Sequence, residues 1–278
     1  TLNGTNWQDI ATVPGTTTNY EWNVAADTST VNAKIRIMDP TLTEGDTSDA
    51  NFTIGYIKIL NPIAGNVYQT NRNIQIYWQD SPNIGSVNIK YQVGTSVPVT
   101  IVSNYASPTN LYNWTVPLDL AHNNLNLIIS DINADVTLAD TIKINTVKLQ
   151  LTSLNGGQKI LANKVTPITW ASSNLTGTIK IELSTDDGFN WIAIPGASNV
   201  SAADGVFNWL VNNITTGQNR IRIISNNDNS IRDSSASFFI ISRLKVTDPT
   251  SIANYKAGTT QNLKWDNSSN IGNINIYF

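Results

Sequence analysis

Cysteine is absent from the chain, which excludes disulfides, cysteine-held metal sites and thiol catalysis but fixes no compartment, since an exported protein can also lack thiols. Charge is scarce too: Asp, Glu, Lys and Arg make up 13% of the 278 residues, against about a quarter in an ordinary soluble domain. The 17 Lys and Arg are scattered singly and the net charge is −3, so no basic stripe exists for a phosphate backbone and nucleic acid is excluded as a partner. No apolar run approaches the roughly eighteen residues that span a bilayer, and "TLNGTNWQ" lacks the basic and apolar segments of an export signal. A single histidine, His122 in "DLAHNNLN", leaves any Ser-His-Asp arrangement to depend on one turn residue. The only glutamates are Glu21, Glu44 and Glu182, and nothing sets two carboxylates across a cleft. The chain is therefore read as non-catalytic, with no catalytic and no cofactor-binding residues.

What the sequence has instead is asparagine, serine, threonine and eight tryptophans, and the tryptophans expose a repeat. Trp78, Trp170 and Trp265 lie in "IYWQDSPNIG", "ITWASSNLTG" and "LKWDNSSNIG", 92 and 95 residues apart. Trp22, Trp114 and Trp209, in "EWNV", "NWTV" and "NWLV", have the same two spacings. Trp7 in "GTNWQDIA" and Trp191 in "GFNWIAIP" mark a third equivalent position. The openings "IKILNPIAG", "VKLQLTSLNGG" and "LKVTDPTSIANYKAG" set the boundaries. Two complete repeats, 57–146 and 147–243, are flanked by a C-terminal half repeat at 1–56 and an N-terminal half repeat at 244–278.

Within a repeat the apolar residues alternate, as in "TIKIEL" and "NRIRII", the period of a half-buried strand, and helical periodicity is missing. Repeat 57–146 gives about seven strands, near 57–61, 73–78, 86–93, 97–102, 111–116, 125–130 and 140–145. Seven short strands in some ninety residues predict an all-β fold of tandem immunoglobulin-like, fibronectin III-like β-sandwiches. Trp22, Trp78, Trp114, Trp170, Trp209 and Trp265 are expected to form the sandwich cores, each burying about 150–250 Å²; a sugar-stacking platform is the competing reading. Repeats that meet without Gly or Pro, as in "TIKINTVKLQL", predict a semi-rigid rod.

The run "ITWASSNLTGTIKIELSTDDGFNWIAI", followed by "DGVFNWLV", "NRIRIIS" and "RDSSASFFI", resembles the immunoglobulin-like repeats of large bacterial cell-surface proteins. It is also similar to the domain that opens fungal cell-wall glucan-assembly proteins. The resemblance covers the whole chain and implies an exported, extracellular protein at the cell surface with a structural or adhesive role. Surface-layer (S-layer) proteins are often built this way, so self-association into a lattice or filament is expected, with a cell-wall or surface glycan as a further partner. The alternative is a spacer or adhesion module of a larger secreted enzyme or sugar-binding protein.

One local motif is sharper. "STDDGFNW" resembles the Asp-box hairpin of sialidase-type propellers, with Ser184, Asp186, Gly188 and Trp191 in the motif positions and Asn190 replacing the usual Thr. "TLNGTNW" keeps Gly4 and Trp7 but puts Leu2 where Asp186 would be, and repeat 57–146 has "VGTSVPV" with no Trp, so a propeller is not expected. Adjacent Asp186 and Asp187 are the candidates for a metal, Ca²⁺, although that ion wants six to eight oxygens and a solvated turn is the competing reading. Seven N-x-S/T sequons, at Asn3, Asn51, Asn113, Asn174, Asn199, Asn213 and Asn267, are about as many as the composition gives by chance. The half repeats raise two expectations: that the ends are the limits of a fragment of a longer polypeptide, or, more sharply, that 244–278 completes a sandwich with 1–56 of another copy.

Overall fold

Alternation of apolar and polar residues is carried into strands between Thr30 and Asn267 in a computed structural model of the chain, which describes all residues except 4, 26–27, 40, 42–44, 83, 107–108, 133–137 and 214–215. Among the described residues the only helical element is the 3₁₀ turn Ala202–Asp204. By contacts the chain divides into two compact units, Thr1–Val116 with His122–Asn145, and Pro117–Ala121 with Thr146–Phe278.

In the first unit a three-stranded antiparallel sheet orders Leu111–Thr115, Asn73–Asp80 and Ile57–Asn61. A second antiparallel set orders Val99–Tyr105, Val87–Val93, Leu125–Asp131 and the first half of Ala139–Leu151. All seven expected strands are thus present, with Val67–Gln69 as an addition. Facing side chains from the two sets, including Ile76, Trp78, Ile89, Leu125, Leu127 and Ile129, are almost completely buried. Residues 1–56 supply two antiparallel ribbons, Thr30–Ala33 with Phe52–Ile54 and Arg36–Met38 with Gly45–Thr47.

The second unit repeats the plan. Lys148–Leu151 of the long strand pairs with Val165–Ser173, which pairs with Val206–Leu210. Opposite lie Lys159–Leu161, Phe239–Ser242, Thr216–Ser225, Thr178–Ser184 and Ile192–Ala193. One cluster holds them together, with Leu149, Ile168, Trp170, Ile181, Trp209 and Phe239 at its centre. This is the tandem immunoglobulin-like, all-β architecture. Residues 244–278 add a ribbon of Leu244–Asp248 with Lys264–Asn267.

The six tryptophans of the two long-spaced series divide. Trp78, Trp114, Trp170 and Trp209 are buried, at 1%, 6%, 4% and 2% exposure. Trp22 is only half-buried and lies in no strand, and Trp265 is 39% exposed on its two-stranded ribbon. An indole is removed from water when a second sheet closes over the strand that carries it. Among the described residues no such sheet covers either ring, so the expectation of a core position is corrected for these two.

Candidate functional site

The hairpin between Thr178–Ser184 and Ile192–Ala193 carries a connected set of polar contacts. Ser184 Oγ donates to Asp186 Oδ1 at 2.7 Å and accepts the Gly188 N–H at 2.8 Å. Asp186 accepts the Asn190 N–H at 2.8 Å on Oδ1 and the Asn190 side-chain amide at 2.6 Å on Oδ2. These donors, the Asn190 N–H foremost, then the Ser184 hydroxyl and the Asn190 amide, hold the Asp186 carboxyl below the usual carboxylate range. Asp187 and Gly188 take positive φ, 61° and 97°, and a Cβ at Gly188 would meet Trp191 Cζ2 at 3.5 Å. Trp191 Nε1 donates to the Gly188 carbonyl at 2.9 Å, so the indole closes over the turn.

The neighbouring strand locks this turn. Arg222 stacks its guanidinium over the Trp191 ring at 4.3 Å and pairs with Glu182, which also binds Lys180 at 3.2 Å. Burial alone would raise the Glu182 carboxyl, but the hydrogen bonds and charges of Arg222 and Lys180 outweigh it and the group lies below its ordinary range. Arg220 binds Asp187 at 2.6 Å and the Ser235 carbonyl at 2.8 Å. Asp186 and Asp187 thus have protein partners, one on amides and a hydroxyl and the other on a guanidinium, and a cation would have to displace them. Among the described residues no group of three or more His, Asp or Glu could hold a metal ion. His122 and Glu21 are exposed, and Glu44 lies outside the described residues.

Residues 1–3 and 5–7 make related contacts with different letters. Thr1 Oγ1 donates to Asn3 Oδ1 at 3.0 Å, as Ser184 does to Asp186, and Asn3 Oδ1 accepts the Asn6 N–H at 2.9 Å, as Asp186 accepts that of Asn190. Arg36 stacks over Trp7 at 4.3 Å, as Arg222 does over Trp191. The turn is one residue shorter, so Asn3 and not Leu2 stands in for Asp186; Gly4 lies outside the described residues. In repeat 57–146 the equivalent hairpin is plain, closed by the Ser96 N–H on the Val93 carbonyl at 3.0 Å with Gly94 at φ 54°.

A second set of polar contacts, which sequence reasoning missed, recurs at the repeat starts. Tyr56 donates its N–H to Ser81 Oγ at 3.1 Å and accepts the Ser81 N–H at 3.0 Å. Arg243 and Ser268, also 25 residues apart, make the same bracket at 2.9 and 3.0 Å. Asn174 grips the Thr146 carbonyl at 2.8 Å. Asp140 accepts the Ile59 N–H at 2.7 Å, and Asp233 accepts that of Leu151 at 2.8 Å. The available signal was the Ser that follows Trp78 and Trp265 by three residues in both repeats.

No family model and no curated protein sequence matches the chain. Among solved structures it is similar to the fibronectin III-like modules of Clostridium thermocellum CbhA, at 17% identity over 66% of this chain and 92% of that one, with a TM-score of 0.27. It is similar to the three N-terminal domains of the highly immunogenic outer capsid protein of bacteriophage RB49, at 10% identity over 75% of this chain and 77% of that one, TM-score 0.29. Titin domains I67–I69 are likewise similar, at 6% identity over 72% and 70%, TM-score 0.30.

Proposed function

We propose that this chain is a non-catalytic structural repeat region of an exported bacterial surface protein, and that the whole protein forms a surface-layer lattice at the cell surface. The observation that carries the reading is where the polar chemistry goes. The Asp186 turn with its relative at Asn3, and the Ser81 and Ser268 brackets, bind the chain to itself at equivalent places of different repeats, and the Arg222–Glu182 pair does so beside Trp191. Groups spent in this way fix the geometry of a scaffold. The resemblance to bacterial surface repeats, the tandem sandwiches and the low charge support the same reading, because repeated modules bury a core per repeat and leave long weakly charged flanks for association.

Electron micrographs of the purified full-length protein test it. Extended sheet-like arrays are expected; dispersed monomers at every calcium concentration and pH would count against a lattice. The alternative of a spacer or adhesion module draws on Phe189 and Val97, 87% and 84% exposed at equivalent hairpin tips of the two complete repeats. Retention of this chain on purified cell-wall glycan, lost in a Phe189→Ser, Val97→Ser double variant, would favour adhesion.

A further inference from the structure

Among the described residues of the two complete repeats, sheet edges differ in how they are closed. Val99–Tyr105 is distorted by register shifts against Val87–Val93. Ile192–Ala193 is two residues long, and Lys159–Leu161 is short and carries a lysine. On Leu111–Thr115 the Tyr105 hydroxyl binds the Leu111 carbonyl at 3.0 Å. Bulges, brevity, lysine and coverage are the devices that keep edge strands from pairing with other chains.

Val206–Leu210, "VFNWL", has none of them. It ends its sheet, pairs with Val165–Thr169 in unbroken register, and contains no charge and no proline. The bonds from Val211 N–H to the Lys164 carbonyl and from Trp170 N–H to the Gly205 carbonyl fix the phase of the ladder. Odd-numbered residues point their backbone groups at the partner strand, and Val206, Asn208 and Leu210 point theirs outward. Their side chains are exposed as well, Val206 at 43% and Leu210 at 62%, while Trp209 is held in the core at 2%.

We propose that Val206–Leu210 is a docking strand that adds antiparallel to the same strand of a second copy of this chain. The occupant follows from self-complementarity. A two-fold axis through Asn208 sets Val206 against Leu210 of the other copy on both sides and Asn208 against Asn208, so apolar groups meet apolar groups and one amide meets another. The outward N–H and C=O groups then complete a ladder without opposing any like charges. This deepens the lattice reading by naming a surface through which copies join. A five-residue pair is a small interface, so an isolated pair is expected to form at concentrations of about 10–100 μM and to strengthen by repetition in an array.

Sedimentation of chain 1–278 over a concentration series, with the variants Asn208→Pro and Val206→Lys/Leu210→Lys, tests this. Proline removes an outward N–H that the chain's own ladder does not use, and the two lysines face each other across the axis. The expected result is concentration-dependent dimers for the natural chain, about tenfold or more weaker for either variant, with an unchanged unfolding midpoint showing that each still folds. The chain has no cysteine, so Asn208→Cys is a clean second probe. Directly opposed residues of a hydrogen-bonded pair lie about 5.5 Å apart at Cα, within disulfide reach, and oxidation should give a 208–208 covalent dimer. A natural chain that stays monomeric, dimers that persist in folded Asn208→Pro or double-lysine protein, or no cross-link at 208 would each overturn the proposal. Arrays of full-length protein that survive Asn208→Pro would discard this edge and leave the lattice; a cross-link at 208 without arrays would keep the edge and discard the lattice.

Discussion

Trp170 and Trp265 hold the same place in the repeat, 95 residues apart, and differ tenfold in exposure, 4% against 39%. Both lie on strands that pair with the first strand of their repeat, Trp170 opposite Leu151 and Trp265 opposite Val246. What differs is the second sheet. The opposing sheet brings Ile181, Ile221, Ile223 and Phe239 into one cluster with Trp170, whereas among the described residues Leu244–Asp248 and Lys264–Asn267 pair only with each other. A strand and its neighbour give an indole a flat surface; only an opposing sheet removes it from water. Isolated two-stranded ribbons are marginal for this reason.

The comparison is broken most directly by deleting the rings. Trp170→Ala is expected to cost about 3–5 kcal/mol in chemical denaturation, the range for emptying a large buried aromatic site, and Trp265→Ala under about 1 kcal/mol. Equal costs would mean that Trp265 is covered in solution. Next in size are the brackets. Ser81 is fully buried between Tyr56 and the end of Asn73–Asp80, so Ser81→Ala should cost about 1–3 kcal/mol by leaving the Tyr56 N–H unpaired. Ser268→Ala, with the same two bonds on the ribbon, should cost less, read as a smaller shift of the same denaturation midpoint.

Acid titration sharpens the contrast further. Glu182 has its carboxyl lowered relative to the unfolded chain, so its contribution is present above the ordinary carboxylate range and is lost as pH falls through that range and below it. Glu182→Gln is expected to flatten the acid limb of stability against pH, with the loss confined to neutral pH. The smallest expected effect separates the two related turns. Asp186 is likewise lowered, so the 184–191 hairpin should loosen in acid, while the Asn3 turn has no carboxylate to protonate. Amide shifts of Asn190 and Asn6 followed by NMR should move in acid for the first and stay for the second.

The strands and the four core tryptophans Trp78, Trp114, Trp170 and Trp209 were legible because alternation and a fixed period report local facing and repetition. Whether Trp265 or Trp22 is covered is set by sheets distant in sequence, and no local pattern carries that. The Asp186 turn was readable from "STDDGFNW", since its bonds span four residues. Its relative at Asn3 was misplaced on Leu2, because a one-residue shortening shifts the alignment while the geometry survives. The stacks of Arg36 on Trp7 and Arg222 on Trp191 join residues 29 and 31 apart, and no single strand pattern points to such pairs. The open edge at Val206–Leu210 came from the absence of a neighbour, which only the fold reveals.

The central claim is that closure by a second sheet, and not the letters of a strand, decides which parts of each repeat are locked. Amide hydrogen exchange on chain 1–278 tests it in one experiment. The account predicts that the amides of Ile168 and Trp170 exchange at the slow rate of global opening, while those of Trp265 and Asp266 exchange orders of magnitude faster. Equal protection of the two segments would contradict it.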